Sequence, residues 1–208
     1  EQASGTKPEL VWHNDANFPR TDLIIVPGGF SYGDYLRSGA MAARSPAMNL
    51  VAEYAGKGVP VLGVCNGFQI LTEVGLLPGA LIRNKNLKFI CRNINIRVEI
   101  DNTIFTSGYS KGQILSIRVA HNDGNYFADD NLLATLNDND QIAFKYTDAS
   151  GNVNENTNPN GSSCNIAGIL NPDKNVLGLM PHPENATDTA LGCTDGRALF
   201  QSLVDSIS

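Results

Sequence analysis

The segment at residues 59–71 reads VPVLGVCNGFQIL and joins a short apolar run to a helix-like pattern across a single cysteine, Cys65. The apolar run at residues 59–64 is rich in β-branched side chains, which predicts a buried strand. From Asn66 onward the apolar side chains follow the spacing of a helix. A buried strand that turns at once into a helix is typical of α/β folds with parallel strands, so this segment limits the fold more than any other.

Two glycines, Gly63 and Gly67, flank Cys65 at two residues on either side. This is the spacing of a nucleophile elbow, in which a tight turn lifts a reactive side chain above the edge of the sheet. Free N–H groups at the start of the following helix stabilise a thiolate there. The pattern predicts that Cys65 is a nucleophile. The alternative is a small buried residue in an ordinary strand-to-helix turn.

The chain has three histidines that could supply a base: His13, His121 and His182. His182 lies between Pro181 and Pro183, which predicts an extended backbone around it. In an extended chain, residues two apart point the same way, so Glu184 would share a side with His182. The sequence predicts that His182 is the base for Cys65 and that Glu184 orients its imidazole.

The other two histidines rank below His182. The residues after His121 are polar and include glycine, which is typical of a ligand-contacting loop, but they do not predict an extended run that would hold a carboxylate alongside it. His13 has no supporting partner in the sequence. We predict that His13 is structural or faces solvent.

A glycine-rich turn is predicted to complete the site. Residues 22–26 form a second apolar run that predicts a buried strand, and Pro27, Gly28 and Gly29 end it in a turn. The N–H groups of such a turn are not covered by side chains and can donate to an oxyanion. We predict an oxyanion hole made by the N–H of Gly29 or Phe30 together with that of Asn66. The alternative is an ordinary strand-ending turn.

Four runs of the sequence resemble a known family: PGGFSYGDYLRSGA at residues 27–40, GVCNGFQILTEVGLLPGAL at 63–81, RNKNLKFICR at 83–92 and GLMPHPE at 178–184. The family is that of the glutamine amidotransferase subunits of phosphoribosylformylglycinamidine synthases, which are triad-type, class I glutamine amidotransferases. The likeness spans nearly the whole chain. It is specific, because the patterns F-S-Y-G-D-Y-L-R and R-N-x-x-x-K-F-I-C mark this purine-pathway subgroup.

The resemblance implies a substrate and a reaction. The family's cysteine attacks the side-chain amide of glutamine, and it maps to Cys65. Its histidine and glutamate map to His182 and Glu184. The implied reaction releases ammonia, leaves a glutamyl thioester on the cysteine, and then hydrolyses that thioester to glutamate.

The resemblance also points to residues that contact the amino-acid end of glutamine. In related amidotransferases these are a glutamine after the elbow and a loop after a later strand. They map to Gln69 and to the loop at residues 122–127, including Asn122 and Gly124. This chain reads Ala-His-Asn-Asp-Gly at residues 120–124, where family members often read Ala-His-Gly-Glu-Gly.

The start of the chain departs from the family pattern. The family normally begins with a strand, a loop and a helix, whereas residues 1–5 look like the end of that helix. We therefore expect the first strand and most of the first helix to be missing from this chain.

The predicted fold is α/β, with an open, mostly parallel sheet and flanking helices, as in flavodoxin-like class I glutamine amidotransferases. Short strands between residues 88 and 146 predict additional antiparallel strands. Ser45 and Pro46 predict a helix start, and the spacing of apolar residues near the C-terminus predicts a closing amphipathic helix. Residues 147–163 form a polar loop, predicted to be mobile or ordered by a partner. With 42% apolar and 17% charged residues, a single domain at residues 1–208 is expected.

Composition excludes several classes of partner. A net charge of −6 without a basic cluster argues against nucleic acid and acidic membranes. No run of 18 apolar residues predicts a membrane span. Four cysteines without paired spacing fit a reducing, cytoplasmic compartment, and no cysteine or histidine cluster predicts a metal site.

Released ammonia implies a partner, because the chain carries no phosphate-binding loop for an ATP-dependent reaction. The resemblance supplies a synthetase subunit that uses ATP and Mg²⁺, with a small third subunit in some organisms, and it implies no cofactor in this chain. Three alternatives stay open at this point: a glutaminase of another amidotransferase pathway, a cysteine hydrolase or peptidase on the same fold, and a silent binding module.

Overall fold

The computed structural model describes residues 3–207 of the 208-residue chain. In this range the strands are β1 (Ile24–Val26), β2 (Val61–Val64), β3 (Ala80–Ile82), β4 (Ile90–Val98), β5 (Ile114–His121), β6 (Asn125–Phe127), β7 (Ile142–Thr147), β8 (Ile166–Leu170) and β9 (Val176–Leu179). The α-helices are α1 (Pro46–Gly56), α2 (Asn66–Val74), α3 (Asp130–Asp138) and α4 (Arg197–Ile207). Short 3₁₀ helices lie at Ser31–Asp34, Ala42–Arg44, Glu155–Thr157, Ser163–Asn165, Pro183–Ala186 and Thr189–Leu191.

Seven of the described strands form one sheet in the order β1-β2-β9-β8-β7-β4-β5, and β3 pairs with β6 in a second, two-stranded sheet. The predicted α/β class, with helices and added antiparallel strands, is confirmed. The parallel share is smaller than expected, since only the β1–β2 and β2–β9 pairings are parallel. The four others are antiparallel, and the connection between β8 and β9, residues 171–175, is too short for the crossover that parallel strands need.

The large sheet curls so that its far edge comes back beside β9. His182, three residues after the end of β9, forms a bridge with Arg118 of β5, and its N–H donates to the Arg118 carbonyl at 2.8 Å. The curl brings β5 next to the ends of β2 and β9. Three chain segments that are distant in sequence therefore meet at one place.

Helix α2 packs closely against the parallel part of the sheet. The buried apolar side chains of the described residues form one cluster, and Phe68 of α2 is fully buried in it. Phe68 lies directly over Gly178 of β9, where a Cβ atom would collide with the ring. This packing fixes where the first residues of α2 stand above the sheet.

Other local predictions have mixed outcomes. Helix α1 begins at Pro46 as predicted, and Ser45 is its N-cap residue, but the Ser45 side chain makes no capping hydrogen bond. The closing helix is confirmed as α4. Residues 3–5, expected with residues 1 and 2 at the end of a helix, form a turn and a bend, and Glu1 and Gln2 lie outside the described residues. The single domain at residues 1–208 stays a prediction.

The polar loop at residues 147–163 is held by its own side chains. Asn154 and Thr157 form a reciprocal capping box around the 3₁₀ helix Glu155–Thr157. The Asn165 amide donates to the Asn154 carbonyl at 2.9 Å and to the Tyr146 carbonyl at 3.2 Å. Local asparagine bonds, not apolar burial, give this segment its order in the described chain.

Replacing Gly67 is predicted to destabilise the fold. A Cβ atom at Gly67 would collide with the carbonyl of Val26, a backbone group that cannot rotate away. We expect Gly67→Ala to lower the free energy of unfolding by about 1–3 kcal/mol, measured by urea denaturation. Gly56→Ala, where a Cβ meets open space near the end of α1, is the matched control and should be neutral or slightly stabilising. Equal effects of the two substitutions would contradict the packing argument.

Candidate functional site

Cys65 stands at a strained turn between β2 and α2. Its backbone has φ 51° and ψ −105°, a conformation that costs free energy for a residue with a Cβ and is typical of a nucleophile elbow. Its N–H donates to the Leu179 carbonyl of the neighbouring strand at 2.8 Å. The flanking glycines leave room for the turn, as predicted. A Cβ atom at Gly63 would clash with the turn itself, and one at Gly67 would clash with β1.

His182 and Glu184 meet as predicted, but by a different backbone path. His182 Nδ1 lies 2.6 Å from Glu184 Oε1. The extended backbone predicted for this segment is wrong, since Pro183 begins a 3₁₀ helix at Pro183–Ala186. Proline at the first helical position has its φ already set for a helix. The turn, not an extended alternation, brings the Glu184 carboxylate back to the His182 ring.

The electrostatics of His182 are set by two partners. Burial lowers the pKa of His182, but the Cys65 sulfur and the Glu184 carboxylate outweigh burial and raise the pKa to about 10. The Glu184 carboxylate is hydrogen-bonded to His182 Nδ1. His182 Nε2 is buried and makes no hydrogen bond to the described residues. The Cys65 Sγ contacts the Ala120 carbonyl at 3.7 Å. The site therefore favours an imidazolium whenever Cys65 is a thiolate.

The glycine turn lies directly against the two reactive side chains. A Cβ at Gly28 would lie 2.7 Å from His182 Cε1 and 3.6 Å from Cys65 Cβ. Gly29 has φ 155°, and Asn66 is the first residue of α2, so its N–H has no acceptor in its own helix. Donation by Gly29 and Asn66 to an oxyanion stays a prediction. Gly28, which the sequence placed in this turn without a role of its own, is the glycine against which His182 packs.

A chain of side-chain amides ties the elbow to the neighbouring loops. The Asn66 Oδ1 accepts from the Ser31 N–H at 3.1 Å, and the Asn66 amide donates to Gln69 Oε1 at 2.8 Å. The Gln69 amide donates in turn to the Asp123 carbonyl at 2.7 Å. Gln69, predicted to contact glutamine, is 4% exposed and bonds within the protein at both ends of its amide. Its observed role is to hold the loop at residues 122–124.

The loop after β5 is braced by two asparagines. The Gly124 N–H donates to Asn84 Oδ1 at 3.0 Å, and its carbonyl accepts from the Asn160 amide at 2.7 Å. Both backbone groups of Gly124 are thus paired inside the protein, and its contact with substrate stays a prediction. Asn122 is exposed, and its contact with substrate stays a prediction. Asn84 was missed; the family-like run at residues 83–92 contained it without indicating its role.

The two remaining histidines lie outside the pair formed with Glu184. His13 Nδ1 lies 2.9 Å from the Tyr32 hydroxyl, and the His13 carbonyl accepts from the Ala47 N–H, which fits the structural role predicted for it. His121 is buried beside the elbow, with Nδ1 at 3.1 Å from Asn84 Oδ1.

Two carboxylates lie near the loop at residues 122–124. Burial and then the charge of Asp123 raise the pKa of Asp34, while Ser38 lowers it. The Ser38 hydroxyl donates to Asp123 Oδ2 at 2.7 Å. Asp34 and Asp123 each keep one buried oxygen without a hydrogen-bond partner among the described residues. These two carboxylates can bind a cationic group. The sequence alone did not indicate either of them as a site residue.

Two features are absent from residues 3–207. No cluster of three or more histidine, cysteine, aspartate or glutamate side chains with the geometry to bind a metal occurs there. No helix in that range has the length and apolar character to cross a bilayer.

A buried cysteine on an elbow, a histidine oriented by a glutamate, and a glycine turn against both define a cysteine-dependent enzyme of acyl transfer on an α/β fold. A model of the CobB/CobQ-like glutamine amidotransferase domain matches residues 7–192. The phosphoribosylformylglycinamidine synthase subunit PurQ of Rhodospirillum rubrum is 58% identical over 205 residues, covering 98% of this chain and 89% of that protein. PurQ of Rhodopseudomonas palustris is 54% identical over 207 residues, covering 99% and 89%.

Solved structures agree with these sequence relatives. PurLQS from Thermotoga maritima contains a chain 40% identical to this one, with a TM-score of 0.86, and the match covers 100% of this chain and 89% of that one. A glutamine amidotransferase from Thermotoga maritima is 18% identical with a TM-score of 0.58, covering 100% and 84%, and it supports the fold alone. The chain belongs to the PurQ family of phosphoribosylformylglycinamidine synthase subunits, within the CobB/CobQ-like glutamine amidotransferases. The resemblance and fold class predicted from sequence are confirmed.

The His182–Glu184 pair predicts a specific pH dependence of stability. The pKa of His182 in the folded chain, about 10, lies above its ordinary value of 6.5. The stabilisation is therefore fully present below pH 6.5 and is lost as the pH rises through about 10. Cys65 and Glu184 both raise this pKa, and Glu184→Gln removes only the contribution of Glu184. The stability advantage of the wild type over Glu184→Gln should therefore fall as the pH rises toward about 10.

The measurement is urea unfolding of wild type and Glu184→Gln at intervals between about pH 6 and pH 10. Glu155→Gln, an exposed change in the polar loop, is the control and should show a difference that does not vary with pH. A wild-type advantage over Glu184→Gln that stays constant across the range would contradict the assignment.

Proposed function

We propose that this chain is the glutaminase subunit of a phosphoribosylformylglycinamidine synthase and supplies ammonia to a synthetase subunit in purine biosynthesis. The observation that carries the proposal is the triad itself. Cys65 stands on a strained elbow, and His182 is bonded to Glu184 at 2.6 Å. Membership of the PurQ family supports the choice of pathway.

The first half of the reaction forms a thioester. The Cys65 thiolate, paired with the His182 imidazolium, attacks the carboxamide carbon of glutamine and forms the S–C bond. Negative charge moves to the amide oxygen, and in this proposal the N–H groups of Gly29 and Asn66 donate to it. When the C–N bond breaks, the His182 Nε2 proton goes to the nitrogen and ammonia leaves.

The second half regenerates the enzyme. His182 Nε2 takes a proton from water while the water oxygen attacks the thioester carbon. The C–S bond then breaks, and glutamate leaves with the Cys65 thiolate and the His182 imidazolium restored. Glu184 accepts from Nδ1–H throughout, which keeps Nε2 turned to the reacting atoms and stabilises the imidazolium.

The two carboxylates near the mouth of the site fit the amino-acid end of glutamine. Asp34 and Asp123 each have a buried oxygen without a hydrogen-bond partner among the described residues, and the α-ammonium group of glutamine is a cation with three N–H donors. Arg83 Nε approaches Asp123 Oδ1 only to 3.7 Å and is mostly exposed, so it leaves room for such a ligand. Asn122, at the exposed end of the same loop, is a candidate contact for the rest of the amino-acid group.

The use of ammonia requires a partner. PurQ relatives are named as synthase subunits, and PurLQS is a related assembly. We infer a cytoplasmic complex with a synthetase subunit and a small third subunit, in which the synthetase uses ATP and Mg²⁺ and this chain needs no cofactor. The exposed side chains at the mouth of the site are candidates for the docking surface: Phe30, Tyr32, Tyr35 and Leu36.

Family membership favours this function over the alternatives. A different amidotransferase pathway is disfavoured by 54–58% identity to PurQ chains over nearly the whole sequence. A silent binding module is disfavoured because Cys65, His182 and Glu184 are all present and assembled.

Removing the thiol tests the proposal. In a complex with the synthetase subunit, Cys65→Ala is expected to lower glutamine-dependent product formation by about 10⁴-fold or more, because no acyl acceptor remains. Synthesis from added ammonium salt should be retained, since that step takes place in the partner. Product formation from each nitrogen source is the measurement.

Cys91→Ala, at an exposed cysteine in β4, is the matched control and should leave both activities unchanged. Glutamine use by Cys65→Ala at the wild-type rate would overturn the mechanism. Loss of both activities with the complex still assembled would overturn the division of labour between subunits.

A further inference from the structure

His121 is a buried imidazole that the mechanism above does not use. Its side chain lies at the end of β5 and is 1% exposed. Its Nε2 atom is buried and has no hydrogen-bond partner among the described residues. Buried polar atoms are nearly always paired, so an unpaired nitrogen on the residue next to Ala120, whose carbonyl contacts the Cys65 sulfur, calls for a ligand.

Asn84 determines which nitrogen of His121 carries the proton. The Asn84 amide nitrogen donates to the carbonyls of Lys88 and His121, both at 2.9 Å, so the amide orientation is fixed. Its Oδ1 then faces the Gly124 N–H at 3.0 Å and His121 Nδ1 at 3.1 Å. A carbonyl oxygen can only accept, so Nδ1 carries the hydrogen and Nε2 presents a lone pair.

The ring is also held in place and kept uncharged. A Cβ at Gly124 would collide with the His121 ring, so this glycine packs flat against the imidazole. Burial, and next the charge of His182, lower the pKa of His121 to about 4. In neutral solution His121 is therefore a rigid, neutral acceptor.

His121 belongs to the wall of the cysteine site. The residue before it, Ala120, places its carbonyl 3.7 Å from the Cys65 sulfur. Two residues further back, the Arg118 carbonyl accepts from the His182 N–H at 2.8 Å. The same short stretch of β5 thus contacts both reactive residues and carries the unpaired nitrogen.

We propose that His121 Nε2 accepts a hydrogen bond from the carboxamide N–H of glutamine and then from the departing ammonia. This inference rests on the proposed glutaminase function. His121 moves no proton in this role. His121 holds the leaving nitrogen so that the lone pair forming on that nitrogen faces the proton on His182. His121 also stabilises neutral ammonia by accepting a hydrogen bond, which a charged histidine could not accept.

Two substitutions separate the acceptor from the structural bond to Asn84. His121→Asn keeps an N–H donor at the place of Nδ1 and removes the acceptor. His121→Gln places an amide oxygen near the position of Nε2 and removes the Nδ1 donor. Both are assayed in the complex with the synthetase subunit.

The chemical control is an ester substrate. Glutamate γ-methyl ester passes through the same thioester but has no N–H at its leaving group. His121→Asn should lower kcat/KM for glutamine by about tenfold, the loss of one hydrogen bond, and leave ester hydrolysis near wild type. His121→Gln should keep most of the wild-type ratio of amide to ester hydrolysis.

A wild-type amide-to-ester ratio in His121→Asn would overturn the inference, whether overall activity is high or low. If His121→Asn fails to fold, the ¹⁵N resonance of His121 Nε2 in Cys65→Ala answers the same question. It should shift when glutamine is added and stay in place with the ester; equal responses would overturn the inference. Failure of the proposed function differs, because wild type would then hydrolyse neither substrate.

Discussion

The close approach of α2 to the sheet is the contact on which the rest of the site depends. Gly67 lies against the Val26 carbonyl, and Gly178 lies under Phe68, with no room for a Cβ at either place. This closeness makes the turn at Cys65 too tight for relaxed backbone angles. The strain at Cys65 is thus maintained by packing that is spread over β1, β9 and α2, and the fold supplies the free energy that holds it.

The sequence predicted the parts of this arrangement that follow local rules. The elbow at residues 63–67 follows from glycines that leave room for the turn, and the start of α1 at Pro46 follows from a proline whose φ already suits a helix. The pairing of His182 with Glu184 was predicted correctly, but from an extended backbone that the structure does not have. Proline at position 183 restricts φ to values shared by extended chain and helix, so local information could not decide between them.

The remaining features could not be predicted because they depend on distant contacts. Asn84 and Asn160 brace the loop at Gly124 from segments about 40 residues away on either side. Nothing in a single sequence indicates which asparagines meet. The same holds for Gln69, whose amide bonds to Asn66 and to the Asp123 carbonyl, while its contact with substrate stays a prediction. Side-chain amides serve both roles, and only the fold distinguishes them.

The bridge between Arg118 and His182 has a consequence for when the enzyme becomes active. The site is built from three segments that are separated by more than 50 residues, and β5 reaches the ends of β2 and β9 only after the sheet has curled. Contacts of such large sequence separation form late in folding. A partly folded chain therefore carries an isolated thiol without its imidazole, and the appearance of activity reports that the whole sheet has closed.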